Sequence, residues 1–185
     1  MKKIYWLFFF VVMSFSAFAQ ENSGRKLGTH VSLDANIGYD LLDVVKTSIR
    51  DENSFTETEE PGRFNYGFNF QYGIQPFNRF SLAAGIRYSY VTPYYHILYA
   101  TGQANVYIGN IDQDEFSFVF ARGGKMFNRS AVSEAQFFGV GYTNVQPISK
   151  NFGQTFQVYL EGQHIDKSTL FIGFSYGIIL FNRKN

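Results

Sequence analysis

The stretch EGQHIDKS, residues 161–168, holds the chain's best set for nucleophilic catalysis: the Ser168 hydroxyl, the His164 imidazole and the Glu161 carboxylate. Acyl transfer by a serine needs the three in contact, the imidazole taking the hydroxyl proton and the carboxylate orienting the ring. Spacing argues against that chemistry. In an extended strand, residues three apart point to opposite faces, so Glu161 cannot orient His164. The segment reads as a polar strand end, and no catalytic residue is assigned.

Metal chemistry fares no better. His30, His96 and His164 are isolated, there is no Cys, and no close pair of ligands recurs at a spacing suited to zinc. No metal site and no cofactor are expected. RGGK at 122–125 has two glycines and a Lys without the phosphate-loop spacing, and reads as a bulged strand end. NRS at 128–130 matches a glycosylation sequon, which is common by chance. The acidic run Asp51, Glu52, Glu57, Glu59 and Glu60 could hold a divalent cation or another ligand, although a solvated loop is the simpler expectation.

The remaining candidates are charges inside an otherwise uncharged pattern. In FNYGFNFQYG, residues 64–73, a ring stands at every second position, with only Asn, Gly and Gln between. Val31–Leu41, Phe80–Tyr90, Leu98–Ile108, Phe116–Ala121, Phe138–Thr143, Phe156–Glu161 and Leu170–Leu180 alternate in the same way. Period-2 alternation marks strands. Eight are expected, with no convincing helical period.

The polar faces carry small and amide side chains where a soluble sheet would carry Lys and Glu. Those faces suit the cramped interior of a small barrel, and the ring faces suit lipid. On this reading Phe116, Phe118 and Phe120 face lipid with the other rings. Asp34, Arg87 and Glu161 share the lumen with amides such as Asn36, Asn69, Gln71, Gln103 and Gln157. A buried charge must find a partner. Arg87 and Glu161 are therefore expected to pair across the lumen as a structural plug, with Asp34 as a second acceptor. A soluble ligand-carrying barrel, with its apolar side inward, is the rival architecture; it would need an outer surface of Asn, Gly and Gln without charge.

The chain opens Met1-Lys2-Lys3, continues apolar to Met13 and reaches Ala17-Phe18-Ala19. A basic start, a short apolar stretch and a small-x-small ending make a secretory signal, expected to be removed after Ala19. Residues 20–185 then form one barrel domain. Losing Lys2 and Lys3 takes the 16 basic residues to 14, against 15 acidic ones, so nucleic-acid binding is not expected. No disulfide is possible. The 22 Phe and 13 Tyr are the unusual quantity, and a mean hydropathy of −0.14 does not exclude a membrane barrel, half of whose strand residues are polar. Tyr66, Tyr72, Tyr88, Tyr90, Tyr142 and Tyr176 fall near expected strand ends, where interfacial belts recruit Tyr.

With its export signal, eight alternating strands and a final TLFIGFSYGIILF, the sequence resembles the small outer-membrane β-barrel superfamily of OmpA/OmpX-like domains, in a Bacteroidota-type version. The resemblance implies an all-β, eight-stranded antiparallel up-and-down transmembrane barrel in the outer membrane. It further implies export through the Sec pathway, periplasmic termini and long loops outside. Its implied partners are outer-membrane lipid, lipopolysaccharide and the barrel-assembly machinery, for which Phe181 would be the terminal aromatic signal, followed here by four further residues. A structural or surface-loop binding role is expected, with the surface ligand unspecified. Lipid A-modifying enzymes also belong to the superfamily and supply the alternative. The deacylases among them set His and Ser two apart on one strand face, whereas His164-Ile165-Asp166 has no Ser there.

Overall fold

In the computed structural model, residues 28–42, 64–77, 79–108, 115–129, 131–165 and 167–182 are described. They form eight strands: β1 (Thr29–Asp40), β2 (Phe64–Phe77), β3 (Phe80–Val91), β4 (Tyr95–Ile108), β5 (Phe116–Met126), β6 (Ala135–Ser149), β7 (Phe152–Ile165) and β8 (Lys167–Phe181). Each pairs antiparallel with the next, and β8 closes on β1 through a ladder from His30↔Phe181 to Asp40↔Phe171. Closure leaves no sheet edge, so every strand's backbone finds partners on both sides. The alternation in the sequence translates directly into two faces: Phe68, Phe138 and Tyr176 are 58%, 64% and 59% exposed on the outside, while Arg87 and Glu161 are 0% exposed inside.

One strand departs from the expected parity. In β5 the side chains of Phe116, Phe118 and Phe120 point inward and are 3%, 5% and 3% exposed, while Val119 and Ala121 face out. The cause lies two residues further along. Arg122 shares the parity of the three rings and is buried in the lumen. On the outer wall an Arg would cost about 2–4 kcal/mol at mid-depth. One charge outweighs the indifference of three rings, which pack acceptably on either side.

The strands run past the alternating segments. RGGK is paired regularly on both sides, Gly123↔Phe138 and Lys125↔Gln136 among the pairs, so it is part of β5 and not a bulge. Strand β6 runs on to Ser149, with its register shift between Pro147 and Ser149. At the end holding the start of β1 and the end of β8, β2 is joined to β3, β4 to β5 and β6 to β7 through residues 78–79, 109–115 and 150–151. At the other end residues 41–63, 92–94, 127–134 and 166 connect the strands, so HIDKS is nearly all strand. We call these the turn end and the loop end.

The lumen is filled in three zones. Toward the turn end Tyr107, Phe116, Phe118, Val145, Ile179 and Phe181 form an apolar cluster. Phe181 therefore sits inside, its ring 6.3 Å from that of Phe116, and the outward residue beside it is Leu180. Toward the loop end Val91, Ile97, Tyr99, Phe137, Ile165 and Phe171 form a second cluster. Charged and amide groups occupy the space between.

Candidate functional site

The central zone is organised around Glu161 of β7. Its Oε2 accepts from Arg87 Nη1 of β3 at 2.6 Å and from Arg122 Nε of β5 at 3.1 Å, with Arg122 Nη2 at 3.0 Å. Its Oε1 accepts from Gln163 Nε2 at 2.7 Å. Arg87 reaches a fourth strand through Nη2, which donates to Asn36 Oδ1 at 3.4 Å. Rings cover the guanidinium faces: Arg87 Cζ lies 4.8 Å from the Phe137 centroid, and Arg122 Cζ lies 4.3 Å from Tyr159 and 5.2 Å from Phe120. A carboxylate between two stacked guanidinium groups is the arrangement that lets charges survive without water.

Asp34 does not serve as the second acceptor for Arg87. Its Oδ1 accepts from Thr155 Oγ1 at 2.7 Å and Gln157 Nε2 at 3.4 Å, both on β7. The second partner in the central cluster is a cation, Arg122, and not a carboxylate. Arg122 was legible in principle: a charge in a barrel strand belongs inside, and its parity would have turned all of β5 over.

A neutral ladder continues around the wall. Gln71 Nε2 donates to Gln103 Oε1 at 3.1 Å, Gln103 Nε2 to Asn105 Oδ1 at 2.7 Å, and Asn105 Nδ2 to Ser81 Oγ at 2.9 Å. Ser81 Oγ then meets the Tyr107 hydroxyl at 3.1 Å. Lumen glycines make the room for the rings. Phe120 faces Gly141, Phe137 faces Gly124 and Tyr159 faces Gly173 across neighbouring strands. A Cβ on Gly141 or Gly124 would meet the facing ring at 2.6 Å, and one on Gly173 would strike Tyr159.

The catalytic candidates are divided by the wall. Glu161 is inside, whereas His164 and Ser168 are exposed on the outer face, paired across β7 and β8 with Nδ1 and Oγ 3.3 Å apart. His30 is buried beside Gly73, and His96 lies outside with its Nδ1 2.8 Å from the Tyr88 hydroxyl. Among the described residues no three His, Asp or Glu side chains converge as a metal site. The acidic run Asp51, Glu52, Glu57, Glu59 and Glu60 lies outside the described residues.

A closed antiparallel up-and-down barrel, rings outward and charges inward, is the fold of small outer-membrane β-barrels. No protein-family model and no curated protein matches the sequence. Among solved structures the chain is similar to Neisserial surface protein A, with a TM-score of 0.55 and 9% identity over 85% of this chain and 99% of that one. It is also similar to the N-terminal β-barrel domain of Pseudomonas aeruginosa OprF, with a TM-score of 0.51 and 12% identity over 84% and 99%. The likeness is one of fold.

Proposed function

We propose that the protein is exported by the Sec pathway and lies in the outer membrane as an OmpA/OmpX-like barrel of Bacteroidota type. Its termini face the periplasm, and its role is structural or is carried by the surface loops. One observation carries this reading. Among the described side chains, the only charge on the outer face of a strand is Lys125, next to last in β5. A wall of rings and aliphatic groups with no mid-strand charge suits hydrocarbon and would be a liability in water. The lumen is read as a plug: Glu161, Arg87 and Arg122 bridge three strands between apolar clusters, which supports bracing of the wall over conduction. Lipopolysaccharide and the assembly machinery are its expected partners, nucleic acid is not, and the first loop remains the place for a surface ligand or cation.

Fractionation tests the reading. The protein should be recovered with outer membranes and should migrate differently on gels before and after boiling. Recovery as a soluble periplasmic protein would overturn it. Protease added to intact cells should cut within residues 44–63 and spare PFNR at 76–79; surface labelling of a tag in NIDQDE at 110–115 would invert the orientation. No enzymatic activity is assigned, and a changed lipid A acylation pattern in a deletion strain would reverse that assignment.

A further inference from the structure

The outer rim at the loop end is built from two unlike halves. On β1–β4 the outward residues beside the strand ends are Tyr39, Phe64, Tyr90 and His96, with Tyr39 and Phe64 rings 4.9 Å apart and Tyr90 and His96 rings 5.0 Å apart. That is an interfacial aromatic belt. On β5–β8 the corresponding residues are Lys125, Gln136, His164 and Ser168, each one position from its strand's loop end. They form one unbroken cross-strand row: Lys125↔Gln136, Gln136↔His164, His164↔Ser168. All four are exposed, Lys125 at 69%. The belt is interrupted here by hydrogen-bonding groups.

The wall directly beneath is hollowed. The next outward row is Gly123↔Phe138↔Gly162↔Leu170, and Gly102 adjoins Gly123. A Cβ on Gly162 would come no closer than 3.9 Å to anything, and one on Gly102 would meet nothing within 4 Å. A depression of about 420 Å³ lies here, against Gln136, Phe138, Gly162, His164 and Ser168. Two residues further down the same strands it gives way to an apolar groove of about 910 Å³ along Ala104, Ala121, Val140, Leu160 and Ile172.

Polar groups above an apolar groove match an amphipathic occupant held upright in the bilayer. The row crosses three inter-strand gaps of about 4.8 Å, roughly 14 Å in all, a width suited to a disaccharide headgroup. Lys125 supplies a cation for a phosphate. Its described partner is Glu134 at 2.7 Å, 64% exposed, and an exposed ion pair is held weakly enough to be exchanged. The geometry points to the β5–β8 wall as a docking surface for one outer-leaflet glycolipid. Its sugar-phosphate headgroup lies on Lys125, Gln136, His164 and Ser168, and an acyl chain lies in the groove below. This rests on the outer-membrane placement proposed above.

The test is native mass spectrometry of the barrel purified from membranes in mild detergent, with purified lipid A and phosphatidylethanolamine as probes. Wild type should retain lipid A over phosphatidylethanolamine. The triple variant Lys125→Ala, Gln136→Ala, His164→Ala should lose about tenfold of that retention. Ala121→Phe and Gly162→Leu, which fill the groove and the depression, should each lose as much, and Leu82→Ala on the opposite wall should lose none. Gel migration before and after boiling certifies each variant as folded. Equal retention of both lipids by folded wild type would overturn the docking surface and leave the membrane placement standing. So would retention unmoved in any two folded wall variants, or efficient self-crosslinking of Gly123→Cys in membranes, which would make the face a contact between two copies. Absence of a folded form from outer membranes would overturn both readings together.

Discussion

Strands β2 and β5 carry nearly the same pattern and face opposite ways. Phe68 and Phe70 of β2 are 58% and 45% exposed on the outer wall, and Phe116, Phe118 and Phe120 of β5 line the lumen. A ring is content in lipid or in a packed interior, so ring alternation alone fixes a period and leaves the side open. What decides the side is the other face. In β2 it holds Asn65, Asn69 and Gln71, amides that are costly in lipid, and Gln71 donates to Gln103 inside. In β5 it holds Ser117, Val119 and Ala121, which lipid tolerates. Ser117 is served on the outer surface, accepting from the Tyr142 hydroxyl at 2.6 Å and Asn144 Nδ2 at 3.3 Å. Arg122 then completes the choice.

The largest effect should come from the charge that β5 contributes to. Glu161→Gln strands two buried guanidinium groups against each other and should cost about 3–5 kcal/mol in urea unfolding of the detergent-folded barrel. Arg87→Met or Arg122→Met leaves one ion pair intact and should cost less, about 1–3 kcal/mol. Pairing Arg87→Met with Glu161→Gln should not restore stability, because Arg122 is left alone; adding Arg122→Met should recover most of the loss. Simple additivity across the three would show that they are not one network.

The next measurement compares the two strands directly. Phe118→Ala opens a cavity beside Tyr107, whose ring is 5.3 Å away, and should cost about 3–5 kcal/mol. Phe68→Ala forfeits only transfer of the ring, about 2 kcal/mol or less, because lipid refills the space. Equal losses would mean that β5 faces as β2 does.

Glycines give a smaller contrast of the same kind. Gly173→Ala should cost about 1–3 kcal/mol by forcing the Tyr159 ring from its place, whereas Gly102→Ala on the open outer wall should be tolerated. A Gly173→Ala barrel as stable as wild type would show that the lumen near Tyr159 is looser than its contacts imply. Least of all should be the rim pair. Lys125 holds the Glu134 carboxyl below the usual range, so whatever the pair contributes is present at neutral pH and fades as pH falls through that lowered value. Both groups are exposed, and Glu134→Gln should leave the unfolding midpoint unmoved.

Strand count, closure and seven of the eight facings were legible because alternation is written in every strand. Arg87 and Glu161 could be set on one side by parity, and their depth followed from position along β3 and β7. The second cation is harder to see because Arg122 opens the glycine-rich run Arg122-Gly123-Gly124-Lys125, which resembles a strand end, although it is also the seventh residue of the strand that starts at Phe116. The Asp34 contacts with Thr155 and Gln157 depend on the β8–β1 closure and its register, which no local pattern encodes. The rim row from Lys125 to Ser168 is likewise a product of register across four strands.

The seam between β1 and β8 has one more consequence. Asn182 N donates to Thr29 O at 2.9 Å, so the described ends lie side by side at the turn end. In space the molecule is a ring of hairpins, and its beginning is a covalent accident. A short linker from β8 to β1, with new ends cut at residues 150–151, would keep every ladder while making β7 the first strand and β6 the last. Which pair must wait until the chain is complete is therefore set by gene order alone, and a permuted barrel separates the order of arrival from the stability of the finished wall.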